Sequence, residues 1–420
     1  MSPAPPPAGR PSGRRVLLLN QYFWPDRAAT AQLLADLAED LAAAGWEVTA
    51  LAGRATYAPG RPGPLPARET WNGVAIRRVA CTNFGRRSKI GRLADYASFF
   101  LSAALAVATG PRADVAVCLS TPPLVAVLGL LARLRGARFV YKVEDLYPDL
   151  AVALGALSPG SFAAGLLRRL SSFVLSRADA AVALDGAMAA SLRRRGARRA
   201  EVIPNWADGR AISPDPAAGE RFRRENGLRQ HFVLLYSGNL GLAHRFDAVA
   251  GAFRVLAVSA PRITWLIVGD GPRLPEVREQ VAGLSDVRFL EYQPRESLGA
   301  LYNAADVHLV TLRDEVAGLL VPSKYAAALA AGKPVLVVGG AGTDLHAEVA
   351  ERQVGWVCPH DPAAVVAALR EAAANPAETR ARGQAARALF EEKYSRDLAF
   401  RAWARLLSEP KVSHASPASV

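Results

Sequence analysis

The tightest constraint on how this chain folds is Val316–Val338, reading VAGLLVPSKYAAALAAGKPVLVV, with Ala305–Leu312 (ADVHLVTL) just before it. The earlier run reads as a buried strand, the Gly318 region as a loop, Ser323–Ala331 as a short alanine-rich helix stopped by Gly332, and Val335–Val338 as the next buried strand. That succession is a βαβ unit. Ser323 is placed to cap the helix, so backbone N–H groups and the positive end of the helix dipole gather beside Gly318, where no side chain blocks a ligand. Such an end binds phosphates, and Lys324 adds a mobile positive charge in the first turn. The stretch predicts a diphosphate pocket. The same residues also suit a helix end that caps itself and packs small alanines on a sheet.

Two domains are expected from 420 residues, since one core rarely serves so long a chain. Three cysteines (Cys81, Cys118, Cys358) are too few and too scattered for a disulfide framework or a metal cluster, and reduced thiols are expected. No Asp-x-Asp triplet occurs and the histidines lack ligand spacing, so no protein-held metal is expected. Residues 1–13 form a Pro/Gly/Ser arm without the apolar centre of a signal peptide, and a polar tail fills residues 409–420; both are expected to be disordered. The longest apolar runs, around Ala97–Thr109 and Leu124–Leu131, fall short of a membrane span, so no crossing is expected.

The net charge of +13 is unevenly spread: residues 1–210 hold 27 Lys and Arg against 15 Asp and Glu, whereas residues 211–420 hold 24 against 23. Something acidic is expected to face the N-terminal half. The basic clusters Arg86/Arg87/Lys89/Arg92, Arg168/Arg169 and Arg193–Arg195 adjoin apolar or amphipathic helices rather than interleaved aromatics, which favours an anionic membrane surface over nucleic acid. Solvated helix faces remain the alternative.

Along the chain, Val16–Asn20 is a buried strand delivering the loop Gln21–Thr30, then a helix to about Ala44, a strand at Trp46–Leu51, a loop at Gly53–Pro66 and a strand at Val74–Val79. This begins a doubly wound α/β domain without Gly-x-Gly-x-x-Gly, which counts against a dinucleotide-dependent dehydrogenase. Asp26 and Thr30 either meet substrate at the strand's C-terminal edge or cap the helix. An apolar helix is expected over Tyr96–Thr109. The strand Arg138–Val143 ends in Glu144-Asp145-Leu146-Tyr147-Pro148-Asp149, with carboxylates where α/β ligands bind. Asp145 is the first candidate for the reacting centre and Glu144 the second; capping of the next helix is the competing role. After the junction near Pro204–Asp208 the pattern restarts, with strands Phe232–Tyr236 and Ile263–Val268 emptying into the glycine-rich turns Ser237–Gly241 and Gly269–Pro272.

The motifs NQYFWPDRAATAQLLADLAEDLAAAG, KVEDLYPDLAVALG, VIPNW, LYSGNLGLAHRFD, VGDGP, YQPRE, ADVHLV and GLLVPSKYAAALAAGKPVL together resemble family-4 (group 1) bacterial glycosyltransferases, over about residues 15–408. The branch resembled is that of the N-acetylfucosaminyl or amino-sugar transferases of O-antigen, capsule and exopolysaccharide synthesis. The resemblance implies the GT-B fold, two Rossmann-like doubly wound domains facing a central cleft. An acceptor domain would span 14–205, braced by a final helix at 395–408, and a nucleotide-sugar domain would span 206–394. Position by position it implies that Gly238, Asn239 and Arg245 approach the phosphates or donor sugar, that Gly271 lines the same glycine-rich turns, that Tyr292 and Gln293 present backbone to the base, and that Gly318, Leu319, Ser323 and Lys324 form the diphosphate pocket. One departure stands out: a glutamate that grips ribose in many members is replaced by Ala327, leaving Glu315 or another group to substitute.

Sugar transfer requires stabilisation of charge on the departing diphosphate, which backbone amides and a lysine supply without metal or cofactor. Asp145 would serve as base or orienter for the acceptor hydroxyl. The expected partners are a nucleotide sugar, a polyprenyl-diphosphate-linked or saccharide acceptor, and the inner face of the plasma membrane. A non-catalytic nucleotide-sugar-binding subunit is the alternative, supported by Ala327.

Overall fold

The computed structural model describes residues 13–26, 28–56, 64–84, 89–257 and 262–410. The proline-rich arm before Gly13, the middle of the Gly53–Pro66 loop, Arg86, Arg87 and the tail after Pro410 lie outside these residues. The chain divides into two compact units. The first runs through Pro148 and takes in Pro159–Ile203 and the segment from Phe400; the second holds Asp149–Ser158 and Pro204–Ala399.

The first unit contains strands β1 (Arg15–Leu19), β2 (Glu47–Gly53), β3 (Arg68–Trp71), β4 (Val74–Val79), β5 (Val115–Cys118), β6 (Arg138–Lys142), β7 (Ala180–Ala183) and β8 (Ala200–Val202). They form one sheet in the order β3-β4-β2-β1-β5-β6-β7-β8, parallel except where β3 runs antiparallel to β4. Strands β5, β6 and β7 are buried at every position, the mark of a parallel sheet covered on both faces. The β3–β4 hairpin was not anticipated, although its turn, Asn72-Gly73, has positive φ at both residues as a two-residue hairpin requires.

Helices α1 (Ala29–Ala43), α2 (Lys89–Thr109), α3 (Val127–Leu134), α4 (Asp149–Ala153), α5 (Phe162–Arg177) and α6 (Gly186–Arg194) connect these strands along the chain. From β1 the chain steps towards β2, whereas from β4 it returns past β1 to β5 and then continues outward. Right-handed crossovers therefore put α1 on one face of the sheet and α2, α3 and α5 on the other. The step reverses between β1 and β5, and ligand crevices of open α/β sheets lie at the C-terminal ends of such strands.

Helix α2 departs from expectation. It begins seven residues before Tyr96 and includes a 20-residue apolar stretch, Ile90–Thr109, long enough to cross a bilayer. The helix carries through Asp95 because that carboxylate turns inward, where it accepts the Phe84 N–H at 2.9 Å.

The second unit repeats the plan with β9 (Phe232–Ser237), β10 (Ile263–Val268), β11 (Val287–Leu290), β12 (Val307–Thr311), β13 (Val335–Val338) and β14 (Gly355–Cys358), all parallel, in the order β11-β10-β9-β12-β13-β14. Its helices are α7 (Pro216–Glu225), α8 (Asp247–Leu256), α9 (Leu274–Gln280), α10 (Leu298–Asn303), α11 (Lys324–Ala330), α12 (Asp344–Glu351), α13 (Pro362–Ala374) and α14 (Pro376–Leu389). Side chains alternate across the sheet: Val233 and Leu235 pack with Phe222 and Leu301, while Leu234 and Tyr236 join Phe246, Phe253 and Trp265 on the other side. Here the winding reverses between β9 and β12.

The last helix, α15 (Arg396–Ser408), ends in the first unit, where Arg14 and Arg138 donate to its terminal carbonyls and Glu409 pairs with Arg138 at 3.0 Å. Arg138 is buried, so Glu409 offsets a charge that would otherwise sit uncompensated inside protein.

Candidate functional site

Two glycine turns meet at the C-terminal ends of β9 and β10. A Cβ on Gly269, at φ +134°, would lie 2.2 Å from the Gly238 carbonyl oxygen, so only glycine lets the two loops touch. Gly271 serves the same closure, since a Cβ there would lie 2.7 Å from the Leu240 nitrogen and 2.8 Å from Asn239 Oδ1. Gly271 therefore shapes the turn. Gly238 spends its N–H on the Val268 carbonyl at 2.9 Å, and what it offers a ligand is the absence of a side chain.

Lys324 runs beneath Gly238, with its Cε 3.6 Å from where a Cβ would stand. Its Nζ lies 3.1 Å from Tyr236 Oη and 3.5 Å from His244 Nε2. Proton positions follow from the outer partners. Tyr236 Oη donates to the Asn239 carbonyl at 2.7 Å, which turns an oxygen lone pair to the ammonium. His244 Nδ1 is 2.6 Å from the Thr311 carbonyl, which can only accept, so Nδ1 carries the proton and Nε2 faces Lys324 bare. No carboxylate pairs with Lys324 among the described residues. Burial pushes its pKa down to about 7, and burial together with Lys324 pushes His244 down to about 3. The imidazole is neutral at neutral pH, and the described residues give the lysine no counter-ion.

Tyr236 and His244 were not anticipated. Tyr236 is the last apolar residue of β9 and reads as core; His244 lies in the loop before α8, which begins at Asp247.

Expectation and structure part at Ser323. Its backbone is helical (φ −63°, ψ −24°), its side chain makes no cap hydrogen bond, and α11 has only seven residues. The helix starts one residue later than expected, so the Ser323 hydroxyl is exposed and spends nothing on capping; a helix this short also carries little dipole. The cationic character of the corner resides in Lys324. Gly318 is left-handed at φ +70° with open space around it, and Leu319 donates its N–H to the Val316 carbonyl at 3.0 Å. Arg245 is bidentate with Asp247, both contacts 2.8 Å, and Glu315 is exposed and paired with Arg313 at 3.4 Å. Tyr292 is exposed and Gln293 donates to the Glu291 carbonyl at 3.0 Å. Ala327 sits one turn along α11 from Lys324 and brings no acceptor.

In the first unit, Ser120 Oγ accepts the N–H groups of Glu144 at 3.0 Å and Asp145 at 3.3 Å, fixing the turn after β6 beside the end of β5. Glu144 is buried in an ion pair with buried Lys142. Asp145 is half-buried, and its carboxyl is pushed up to about 7, first by burial and then by the Glu144 charge. Asp145 is thus poised to exchange a proton near neutral pH. At the end of β1, buried Asn20 Oδ1 and Gln21 Oε1 find no hydrogen-bond partner among the described residues. Asp26 is buried and accepts the Ala28 N–H at 3.0 Å, a local turn bond, while Thr30 lies half-exposed in the first turn of α1. Among the described residues no group of three or more His, Cys, Asp or Glu side chains is arranged to hold a metal ion.

Comparison with known proteins agrees with this architecture. Residues 29–206 match the family described as a glycosyl transferase 4-like domain, and residues 231–375 match the glycosyl transferases group 1. The chain is 29% identical over 348 residues to the probable glycosyltransferase WbjE of Pseudomonas aeruginosa, covering 79% of this chain and 86% of that one. It is 30% identical over 282 residues to the putative colanic acid biosynthesis glycosyl transferase WcaI of Escherichia coli K12, covering 64% and 68%. Among solved structures it resembles sucrose-phosphate synthase from Thermosynechococcus elongatus (TM-score 0.74, 18% identity, 94% of this chain and 98% of that one). It also resembles Anabaena HepE in complex with UDP and glucose (TM-score 0.68, 18% identity, 94% and 99%). With two doubly wound parallel-sheet units and relatives of this kind, the chain belongs to the group 1 glycosyltransferases of GT-B fold.

Proposed function

We propose that this transferase moves an N-acetylated amino or deoxy-amino sugar from a UDP donor to a lipid-linked or saccharide acceptor in cell-surface polysaccharide synthesis. The observation that carries the reading is Lys324, a half-buried ammonium held by two neutral acceptors at a winding reversal, with no carboxylate paired to it among the described residues. A cation so placed needs an anion, and a diphosphate supplies one. As the bond from the anomeric carbon to the diphosphate oxygen breaks, charge grows on the leaving group and Lys324 opposes it, with no metal or cofactor required. The acceptor oxygen bonds to the same carbon and its proton passes to Asp145.

The remaining roles follow the resemblance. Gly238, Asn239, Gly318, Leu319 and Ser323 would line the phosphates, Tyr292 and Gln293 the base, and Arg245 and Glu315 would take part by exchanging their present ion pairs. Gly271 would act through the turn it shapes. Asp26 and Thr30 would border the acceptor. Asn20 and Gln21 bring buried acceptor atoms suited to sugar hydroxyls. UDP is favoured because HepE, of the same fold, is seen with UDP and glucose. Polysaccharide synthesis is favoured by the name of WcaI. A polyprenyl-diphosphate acceptor at the cytoplasmic face of the plasma membrane would explain the basic N-terminal half and its apolar helices.

Thermal shift with a panel of UDP-, GDP- and dTDP-sugars tests the donor site. A ligand at about 100 times its Kd adds about 2.7 kcal/mol to native stability. Stabilisation of the wild type and not of Lys324→Ala is expected. No stabilisation by any nucleotide sugar, or equal stabilisation of both proteins, overturns the reading.

A further inference from the structure

Helix α2 has two apolar sides. Phe99, Ala103 and Val107 are buried on the side facing the sheet. On the outer side Ile90, Leu93, Leu101 and Leu105 are between 65% and 81% exposed. Exposed Ala97 and Ala108 complete that outer row at helical spacing, so it is unbroken over about 27 Å. A helix on a protein surface normally turns polar residues to water.

Helix α5 continues the pattern. Phe162, Leu166 and Phe173 are exposed, interleaved with exposed Arg168, Arg169 and Arg177, and the Arg177 guanidinium lies 5.0 Å from the Phe173 ring centroid. The crossover geometry puts α2 and α5 on the same side of the sheet, and α3 packs against both. Neither helix offers water a carboxylate: the one acid of α2, Asp95, is turned inward, and α5 has none.

We propose that α2 and α5 form a docking face that lies in the plane of an anionic lipid bilayer. This rests on the membrane reading given above and specifies how contact is made. Charge decides the occupant. A second copy meeting this face through a two-fold axis would bring the same arginines against each other, whereas anionic headgroups complement them. Burial decides the orientation. A spanning α2 would withdraw Phe99, Ala103 and Val107 from the core, so the helix sinks only its outer row into the acyl boundary. The face also bears on the site. Helices of βαβ units run antiparallel to their strands, so Ile90, Leu93, Phe162 and Leu166 sit towards the sheet edge that carries Asp145. Ser171 Oγ of α5 donates to the Tyr147 carbonyl at 3.3 Å, two residues past that carboxylate.

The test is flotation of the full-length protein with vesicles of phosphatidylglycerol and phosphatidylethanolamine, and with phosphatidylcholine alone. The wild type, Leu101→Gln/Leu105→Gln and Phe162→Ser/Leu166→Ser are compared; all four side chains are exposed, and matching thermal melts show that the variants fold. Wild-type binding to the anionic vesicles, weakened by salt and reduced at least tenfold in each variant, is expected. If the wild type floats and both variants float equally well, the face is wrong while the membrane reading stands. If the wild type floats with neither vesicle at low salt, both fall. A wild type that is dimeric in sedimentation, with monomeric variants, would assign the face to a second copy and overturn the proposal.

Discussion

The Lys324 ammonium nitrogen lies 3.1 Å from the Tyr236 phenol oxygen and 4.4 Å from the centre of the same ring, so one residue supplies both a lone pair and a π face to the cation. Both contacts are neutral. They orient the charge without cancelling it, which suits a group that must meet a phosphate.

Removing either partner separates aiming from charge. Lys324→Ala deletes a charge-assisted contact of about 1.5–3 kcal/mol, a loss of roughly 10- to 150-fold in kcat/KM. Tyr236→Phe keeps the ring and removes the lone pair, so a loss of about 0.5–1.5 kcal/mol is expected. Steady-state kinetics with varied donor check both. Equal effects of the two substitutions would mean that Tyr236 does more than orient the lysine.

Asp145→Asn preserves size and polarity and removes the proton acceptor. A fall of about 100- to 10,000-fold in kcat is expected, with donor-induced thermal stabilisation unchanged. Glu144→Gln tests the contrast. It removes the charge paired with buried Lys142, so a lower melting temperature is expected in addition to any effect on rate.

The pH profile follows from two signs. Asp145 must be deprotonated to accept a proton, so activity falls as pH drops below about 7. Lys324 must be protonated to bind diphosphate, so kcat/KM falls as pH rises above about 7, approaching tenfold per pH unit. A narrow bell centred near neutrality is expected in kcat/KM. In kcat the alkaline limb moves up, because a bound anion favours the charged lysine. Lys324→Arg, which stays charged, should abolish the alkaline limb of kcat/KM whatever its effect on the maximum.

Two glycines separate packing from backbone strain. Gly269→Ala forces a methyl against the Gly238 carbonyl at positive φ, and a loss of at least about 2 kcal/mol is expected, together with loss of donor binding. Gly318→Ala meets open space, so only the left-handed strain of about 1–2 kcal/mol applies. Denaturant melts of both variants check the ranking.

The sequence by itself determined the two parallel sheets, because short apolar runs alternating with helical periods leave few other ways to cover a strand on both faces. It also carried the glycine turns after β9 and β10 and the two neighbouring carboxylates, Glu144 and Asp145, at the end of β6. The Asn72-Gly73 hairpin was equally legible. Only the tertiary structure decided what Lys324 touches. Tyr236 is 88 residues away and His244 80, and no local period relates them. They meet because the winding reverses between β9 and β12, which brings Thr311, at the end of β12, to His244 and leads the chain on to α11 beneath Gly238. The uncapped Ser323 and the outward apolar row of α2 were hidden for the same physical reason: a residue's type states what it can pair with, but whether it caps, packs or faces lipid depends on which surfaces the folded sheet leaves uncovered.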